Sequence, residues 1–285
     1  MKKTLCFMVF IFLFGSALFA EDANVLPPMT GRISIVPSYS FASGVYDDDG
    51  IYQSFNDVSF KFFNLGASLE YGINDWFTTS FHWIQGWTPW SEANGPLVII
   101  GINDVSDLTA RFKFQVLGER APLRSSIMRF AVAPAFVIPL PELSNFSDFF
   151  YTGLSLHFDY ILLRNFYISL YGQGLIAPGN MDKYRLNAEI SPIFNLAISS
   201  DIDLLAGLPV SFFYSSNQLP IERQMFFLSE DSSQYNLGLK PFMSIFFKSF
   251  PVPLEFKLQY DMMLTGANSL ARHNASFSIV TYIIP

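Results

Sequence analysis

The chain has 285 residues, of which 51% are hydrophobic and only 14% are charged, whereas an ordinary soluble domain carries about 25% charged residues. Aromatic residues make up 17% of the chain, and part of the apolar surface is therefore expected to face lipid. The formal net charge of -7 disfavours a nucleic-acid partner, because such a partner would need a basic surface.

The first twenty residues have the order of a secretory signal peptide. Two lysines at positions 2 and 3 precede an apolar run at residues 5–14, and small residues follow. This run is shorter than the roughly 20 apolar residues that a spanning helix needs, although an uncleaved anchor is the alternative. We therefore predict a cleaved signal over residues 1–20 and a mature domain over residues 21–285, with cleavage after Ala17 as a second possible site.

Segments of alternating apolar and polar residues follow along the rest of the chain, as β-strands with one polar face require. Each is roughly ten residues long, the length that a tilted strand needs to cross a bilayer. Helical periodicity is nowhere sustained. In chain order the predicted strands are Arg32–Phe41, Phe63–Ile73, Phe77–Trp83, Leu108–Val116, Met128–Ile138, Phe150–Tyr160, Phe166–Gln173, Tyr184–Leu196, Leu204–Tyr214, Tyr235–Phe247, Leu254–Met262 and Leu270–Tyr282.

The connections between these strands alternate in length. Those after even-numbered strands are short, such as residues 74–75 and 199–201, and most of those after odd-numbered strands are long, such as residues 88–107 and 215–233. Aromatic residues gather near the strand ends, as in the girdles of membrane barrels. We predict an all-β fold, an antiparallel transmembrane β-barrel of about 12 strands with 10 to 14 possible. A soluble β-sandwich is the alternative, but it gives no reason for the asymmetric loops.

The export signal, the alternating segments and the turn Tyr71-Gly72-Ile73-Asn74-Asp75-Trp76-Phe77 resemble the porin-like outer-membrane β-barrels of diderm bacteria, with some features of spirochaete members. The resemblance implies residence in the outer membrane, contact with its lipid, insertion by the barrel-assembly machinery and passage of small solutes. The chain departs from this pattern at its end, Tyr282-Ile283-Ile284-Pro285, where a terminal aromatic is usual. Tyr282 would have to replace that residue as the assembly signal, or insertion would have to use a relaxed one.

If the apolar faces meet lipid, the polar faces line a lumen, because Arg or Lys directed into lipid at mid-membrane costs about 2–4 kcal/mol. Rings of charged side chains set which ions or solutes pass a pore. The candidate lumen-lining residues are Glu70, Arg111, Lys113, Arg129, His157, Asp159, Arg185, Glu189, Lys240, Glu255, Lys257, Asp261 and Arg272.

These residues predict a porin or channel for the passive diffusion of small hydrophilic solutes. A non-conducting barrel with a structural or surface-binding role is the first alternative, because a small barrel can be filled by its own side chains or loops. A carrier of hydrophobic solutes that enter through the wall is the second, and the inward phenylalanines such as Phe62, Phe213 and Phe246 favour it.

Three cationic candidates fall on the neighbouring fourth and fifth predicted strands. Arg111, Lys113 and Arg129 either form a basic patch that favours anionic solutes or neutralise lumen carboxylates such as Asp159. In the same way, Asp261 is expected to pair with Arg272 on the adjacent strand.

Catalysis and cofactors are not indicated. The three histidines lack a His-x-Ser arrangement like that of barrel phospholipases, and the two-residue spacing of His157 and Asp159, roughly 7 Å, is long for a direct bond. The only cysteine, Cys6, lies in the predicted signal, so the mature chain is expected to have no thiol. No phosphate-binding loop or clustered metal ligand set is evident, so we expect no cofactor, no metal and no enzyme.

Two loops invite weaker hypotheses. The run Asp47-Asp48-Asp49-Gly50 could ligate calcium, but it lacks the alternate-position spacing of a calcium loop, so a solvated turn is expected. The segment Leu97–Ile102 is unusually apolar for a loop. It is predicted first as a hairpin above the membrane, with an inward constriction or a lipid contact as alternatives.

Overall fold

A computed structural model of the chain describes residues 23–55, 60–91, 103–140, 149–217, 233–248 and 252–283. The predicted signal peptide and the segment Leu97–Ile102 therefore lie outside the described residues. The strands within these ranges are β1 (Gly31–Tyr46), β2 (Tyr52–Ser54), β3 (Phe60–Asn74), β4 (Phe77–Ser91), β5 (Asn103–Gly118), β6 (Leu123–Arg124), β7 (Met128–Pro139), β8 (Tyr151–Leu163), β9 (Phe166–Ala177), β10 (Asn180–Ala197), β11 (Ile202–Gly207), β12 (Val210–Ser215), β13 (Gln234–Leu239), β14 (Phe242–Phe247), β15 (Leu254–Ala267) and β16 (Ser269–Ile283).

The strands form one closed antiparallel β-barrel. From β1 the hydrogen-bonded order is β3, β4, β5, β7, β8, β9 and β10, and β16 pairs with both β15 and β1. Two interrupted strands lie between β10 and β15. The first consists of β11 followed by β12, the second consists of β13 followed by β14, and each is interrupted near its middle. The barrel therefore has twelve strands, as the sequence predicts, while β2 and β6 add short pairings to β1 and β5.

Prolines cause the two interruptions. Pro209 lies between β11 and β12, and Pro241 lies between β13 and β14; neither has an N–H to give to a neighbouring strand. Their carbonyls still accept, since Lys240 N donates to Pro209 O at 2.8 Å and Tyr260 N donates to Pro241 O at 3.0 Å. The wall thus stays continuous through both breaks.

The two faces of the barrel wall differ as the alternation predicts. Outward-facing leucines are exposed, with Leu69 at 49%, Leu156 at 46% and Leu258 at 55%. The polar residues that alternate with them point inward and are mostly buried, as Ser34 and Asp159 are. This arrangement suits a protein whose outer solvent is lipid.

The two rims of the barrel differ as well. The short-turn rim carries the connections at residues 75–76, 164–165 and 198–201, and the long-loop rim carries those that include residues 92–102 and 218–232. Asn74 stabilises one short turn, because its Oδ1 accepts a hydrogen bond from Trp76 N at 3.0 Å. Among the described residues, no helix is long and apolar enough to cross a membrane.

Candidate pore

The wall places every candidate lumen residue on its inward face. On each strand, these residues lie an even number of positions from the buried polar residues and therefore point to the same side. The strand register also aligns them: Glu70 lies opposite Arg32 and Ser80, and Ser80 lies opposite Arg111. The residues whose inward position follows in this way are Glu70, Arg111, Lys113, Arg129, His157, Asp159, Arg185, Glu189, Lys240, Glu255, Lys257, Asp261 and Arg272. Their role in a pore stays a prediction.

Several of these charges are paired between strands. Arg32 Nη2 donates to both carboxylate oxygens of Glu70, at 2.6 and 2.7 Å. Lys240 Nζ donates to Glu189 Oε2 at 3.1 Å. These pairs are largely removed from solvent, so loss of one partner would leave a poorly solvated charge on the wall. The inward face is therefore charged but locally neutralised.

The residues of the predicted basic patch lie close to acceptors inside the barrel. Arg129 Nη1 lies 3.8 Å from Asp159 Oδ2, which is the pairing that the sequence offered as one of two outcomes. Lys113 Nζ lies 3.5 Å from the backbone oxygen of Asn24 and donates to it. Arg111 faces the lumen opposite Ser80.

The predicted pair between Asp261 and Arg272 is wrong. Asp261 lies directly opposite Asn274, and its carboxylate accepts hydrogen bonds from Gln259 Nε2 at 2.6 Å and Asn274 Nδ2 at 3.1 Å. Arg272 lies two residues from that position and is exposed. The cross-strand register, which the sequence does not reveal, decided the partner.

On β15, the strand that carries Asp261, aromatic and hydroxyl groups hold the other charged side chains. Lys257 Nζ lies 4.3 Å from the centre of the Phe242 ring, within the range of a cation–π contact. Glu255 accepts hydrogen bonds from Ser244 Oγ and, at 3.4 Å, from the hydroxyl of Tyr282. These contacts fix the inward charges of β15 in position.

Towards the long-loop rim the inward face becomes apolar, which the charge pattern alone does not indicate. Tyr151 is fully buried there, and its hydroxyl donates to Asn217 Oδ1 at 3.1 Å. The guanidinium carbon of Arg185 lies 4.2 Å from the centre of the Tyr151 ring. Two buried clusters make up this zone: Ala135, Val137, Tyr151, Leu175 and Ala177, and, on another part of the wall, Ala42, Phe62 and Leu270. The inward position of Phe62 agrees with the sequence interpretation.

Residues 23–30, which precede β1, also enter the lumen, although no pattern in the sequence predicts this. Ala23 and Val25 are buried, and Ala23 N donates to Asp159 Oδ2 at 3.1 Å. Leu26 N donates to Thr78 Oγ1 at 2.9 Å. We call these residues the amino-terminal strap.

One histidine has a serine partner inside the barrel. His82 Nε2 and Ser80 Oγ are 3.1 Å apart on the inward face of β4. The nearest carboxylate in the strand register is Glu70, and both of its oxygens accept from Arg32 Nη2. His157 is fully buried, and its ring centre lies 5.1 Å from that of Tyr171.

The aspartate run at the long-loop rim forms a hydrogen-bonded turn between β1 and β2. Asp47 Oδ1 accepts from Asp49 N at 3.1 Å and from Ile51 N at 2.8 Å, and Oδ2 accepts from Gln53 Nε2 at 2.8 Å. The bond from Ile51 N, with smaller help from Gln53, holds the pKa of Asp47 below its ordinary value. Within the described ranges, no three His, Cys, Asp or Glu side chains are placed to hold a metal ion.

No protein-family model and no curated protein matches the chain. A bacterial channel and a porin are among the solved structures that share its fold. An outer-membrane channel from Pseudomonas putida F1 aligns with a TM-score of 0.60 at 14% identity, over 94% of this chain and 100% of the other. The NanC porin aligns with a TM-score of 0.50 at 8% identity, over 88% of this chain and 100% of the other. At this identity the likeness concerns the fold, and at that level the resemblance to porin-like outer-membrane barrels is confirmed.

Proposed function

We propose that the chain is an outer-membrane channel through which small hydrophilic solutes diffuse passively. One observation carries the proposal: a closed wall of twelve strands presents an apolar face outward and, over most of its height, a polar and charged face inward. About eight strands enclose an interior that side chains just fill, so twelve enclose more space than the wall can occupy. An outer-membrane channel and a porin are among the solved structures with this fold, and this supports the same function.

The mechanism we propose is screening by width and charge, without covalent chemistry. The paired charges, such as Lys240 with Glu189 and Arg129 with Asp159, give the water-filled lumen a polar wall with little net preference for anions or cations. We place the protein in the outer membrane, in contact with its lipid, after export by a cleaved signal over residues 1–20 and insertion by the barrel-assembly machinery.

Conductance tests this proposal directly. Residues 21–285 are refolded, inserted into a planar bilayer and recorded at several salt concentrations. Discrete conductance steps are expected, and a silent bilayer containing folded β-barrel would refute the channel in favour of a structural or surface-binding barrel.

Selectivity is tested by replacing Arg111, Lys113 and Arg129 with Gln. Reversal potentials under a salt gradient are expected to shift towards cation selectivity, because Asp159 would lose the guanidinium beside it. Lys248→Gln, which removes one positive charge at the short-turn rim, is the control for position. An unchanged reversal potential would leave these cations a structural role only.

A second candidate, a carrier of hydrophobic solutes, is favoured by one feature of the wall. The ladder between β1 and β16 passes from Ile35–Ile279 directly to Ser38–Ser276, and Pro37 in the gap has no N–H to donate. A cavity of about 260 Å³ lies at this gap. Its lining combines outward and inward residues: Pro37, Ser38, Tyr39, Phe63, Leu258, Ala275, Ser276 and Phe277. Liposome uptake of a hydrophobic fluorescent probe that is lost on Phe277→Trp would support this candidate; equal uptake would refute it.

A further inference from the structure

The amino-terminal strap, residues 23–30, leaves the barrel wall through a tight turn. Thr30 N donates to Pro27 O at 3.1 Å, and Met29 has a positive φ of 61°, which is uncommon outside glycine. Met29 N donates to Gly72 O at 2.8 Å, and Gly72 N donates to Thr30 O at 2.9 Å. The turn is thereby fixed to the end of β3, and the chain before it is directed into the lumen.

Beyond the turn, wall residues on successive strands hold the backbone of the strap. Thr78 on β4 accepts from Leu26 N, and Arg120 in the turn after β5 donates from Nη2 to Val25 O at 3.0 Å. The strap ends at Asp159 on β8, which accepts from Ala23 N. In the ring of twelve strands β8 is five places from β1, so the strap reaches the far side of the short-turn rim. Eight residues can cover at most about 26–29 Å, which suits such a crossing.

The wall is shaped to receive the strap. A Cβ at position 72 would lie 2.1 Å from Pro27 O and 2.7 Å from Leu26 O, so only glycine lets the strap approach β3 this closely. Ala23 and Val25 are 0% and 3% exposed, and Asp159 is 0% exposed. A buried carboxylate that accepts a backbone N–H gives a strong, charge-assisted hydrogen bond. Together these residues form a binding site for the strap on the inner wall, which we call its seat.

We propose that the amino-terminal strap is the inner constriction of the barrel: it narrows the short-turn mouth and sets the size limit of the passage. The constriction rests on the proposed channel function. The strap lies beside Lys113, which donates to the backbone oxygen of Asn24, and its backbone therefore supplies part of the lining that solutes meet.

A disulfide tests the constriction within one molecule. Residues 21–285 contain no cysteine, so Leu26→Cys with Thr78→Cys introduces a single pair. The 2.9 Å between Leu26 N and Thr78 Oγ1 keeps their Cα atoms within about 6.8 Å, the upper range for a disulfide. Oxidised, the strap is locked; reduced, it lacks its Thr78 acceptor and is loosened.

In planar bilayers, the locked form is expected to conduct like the unmodified chain. The reduced form, and a variant that lacks residues 21–28, are expected to conduct about two-fold more or to pass larger uncharged polymers. Equal conductance in all three forms would overturn the constriction while leaving the channel intact. A folded barrel that is silent in all three forms would refute the channel, and the constriction with it.

The placement of the strap has a separate readout. Val25→Cys is expected to react slowly with a membrane-impermeant thiol reagent, and Met29→Cys, at an exposed position, is expected to react fast. Equal rates at the two positions would show that the strap does not occupy its seat, whatever the conductance.

Discussion

Gly72→Ala is expected to displace the strap without altering any strap residue. The new Cβ would lie 2.1 Å from Pro27 O, far inside the roughly 3.4 Å of ordinary contact. Neither atom can rotate away, because the carbonyl oxygen belongs to the backbone and the Cβ is attached directly to it. Overpacking of this kind costs about 1–3 kcal/mol. The strap or the end of β3 must therefore move by about 1 Å or more.

The magnitude follows from what holds the strap. The bond from Leu26 N to Thr78 is worth about 0.5–1.5 kcal/mol, and the bonds to Arg120 and Asp159 about 1.5–3 kcal/mol each, because one partner is charged. The conformational entropy of ordering these residues opposes this sum by a comparable amount. A loss of about 1–3 kcal/mol raises the equilibrium constant between the displaced and the bound strap about 5- to 150-fold.

The assay is the rate at which Val25→Cys reacts with an impermeant thiol reagent in liposomes, measured with and without Gly72→Ala. The rate is expected to rise by the same factor as the displaced population. Gly172→Ala is the matched control, since a Cβ there meets nothing within 4 Å. Equal labelling rates for the two alanine variants would refute the proposed seat.

Three further outcomes are expected. Glu70→Gln should lower the free energy of unfolding by about 2–4 kcal/mol in urea titrations, since it leaves the partly buried Arg32 without its carboxylate; a double change with Arg32→Gln should recover part of this, and a purely additive loss would contradict the pairing. Asp47 should titrate by NMR below the usual aspartate range, so its contribution to the order of the turn is present above the unfolded pKa and is lost as the pH falls through the folded pKa; an ordinary pKa would exclude the hydrogen-bonded turn. Tyr151→Phe should cost about 1–2 kcal/mol, as Asn217 loses a buried donor, whereas no change would show that the bond contributes nothing.

The sequence predicted most of the barrel because alternation and loop length are local properties. All twelve predicted strands are present, although β1, β3 and β15 are longer than predicted, with β3 beginning at Phe60 and β15 continuing to Ala267. The inward position of the candidate charges followed from the same alternation. Their partners did not, as the failed pairing of Asp261 with Arg272 shows, because a partner depends on the register between strands.

The sequence by itself determined which face of each strand meets lipid and which meets the lumen, since the energetic penalty for a lipid-exposed charge leaves one choice per residue. Only the tertiary structure decided what fills that lumen. Residues 23–30 carry no alternation and no motif, and their place depends on Gly72, Thr78, Arg120 and Asp159, which closure of the wall brings to one rim. Contacts between the strap and wall residues up to 136 positions away are fixed by closure of the barrel and leave no local signal in the chain.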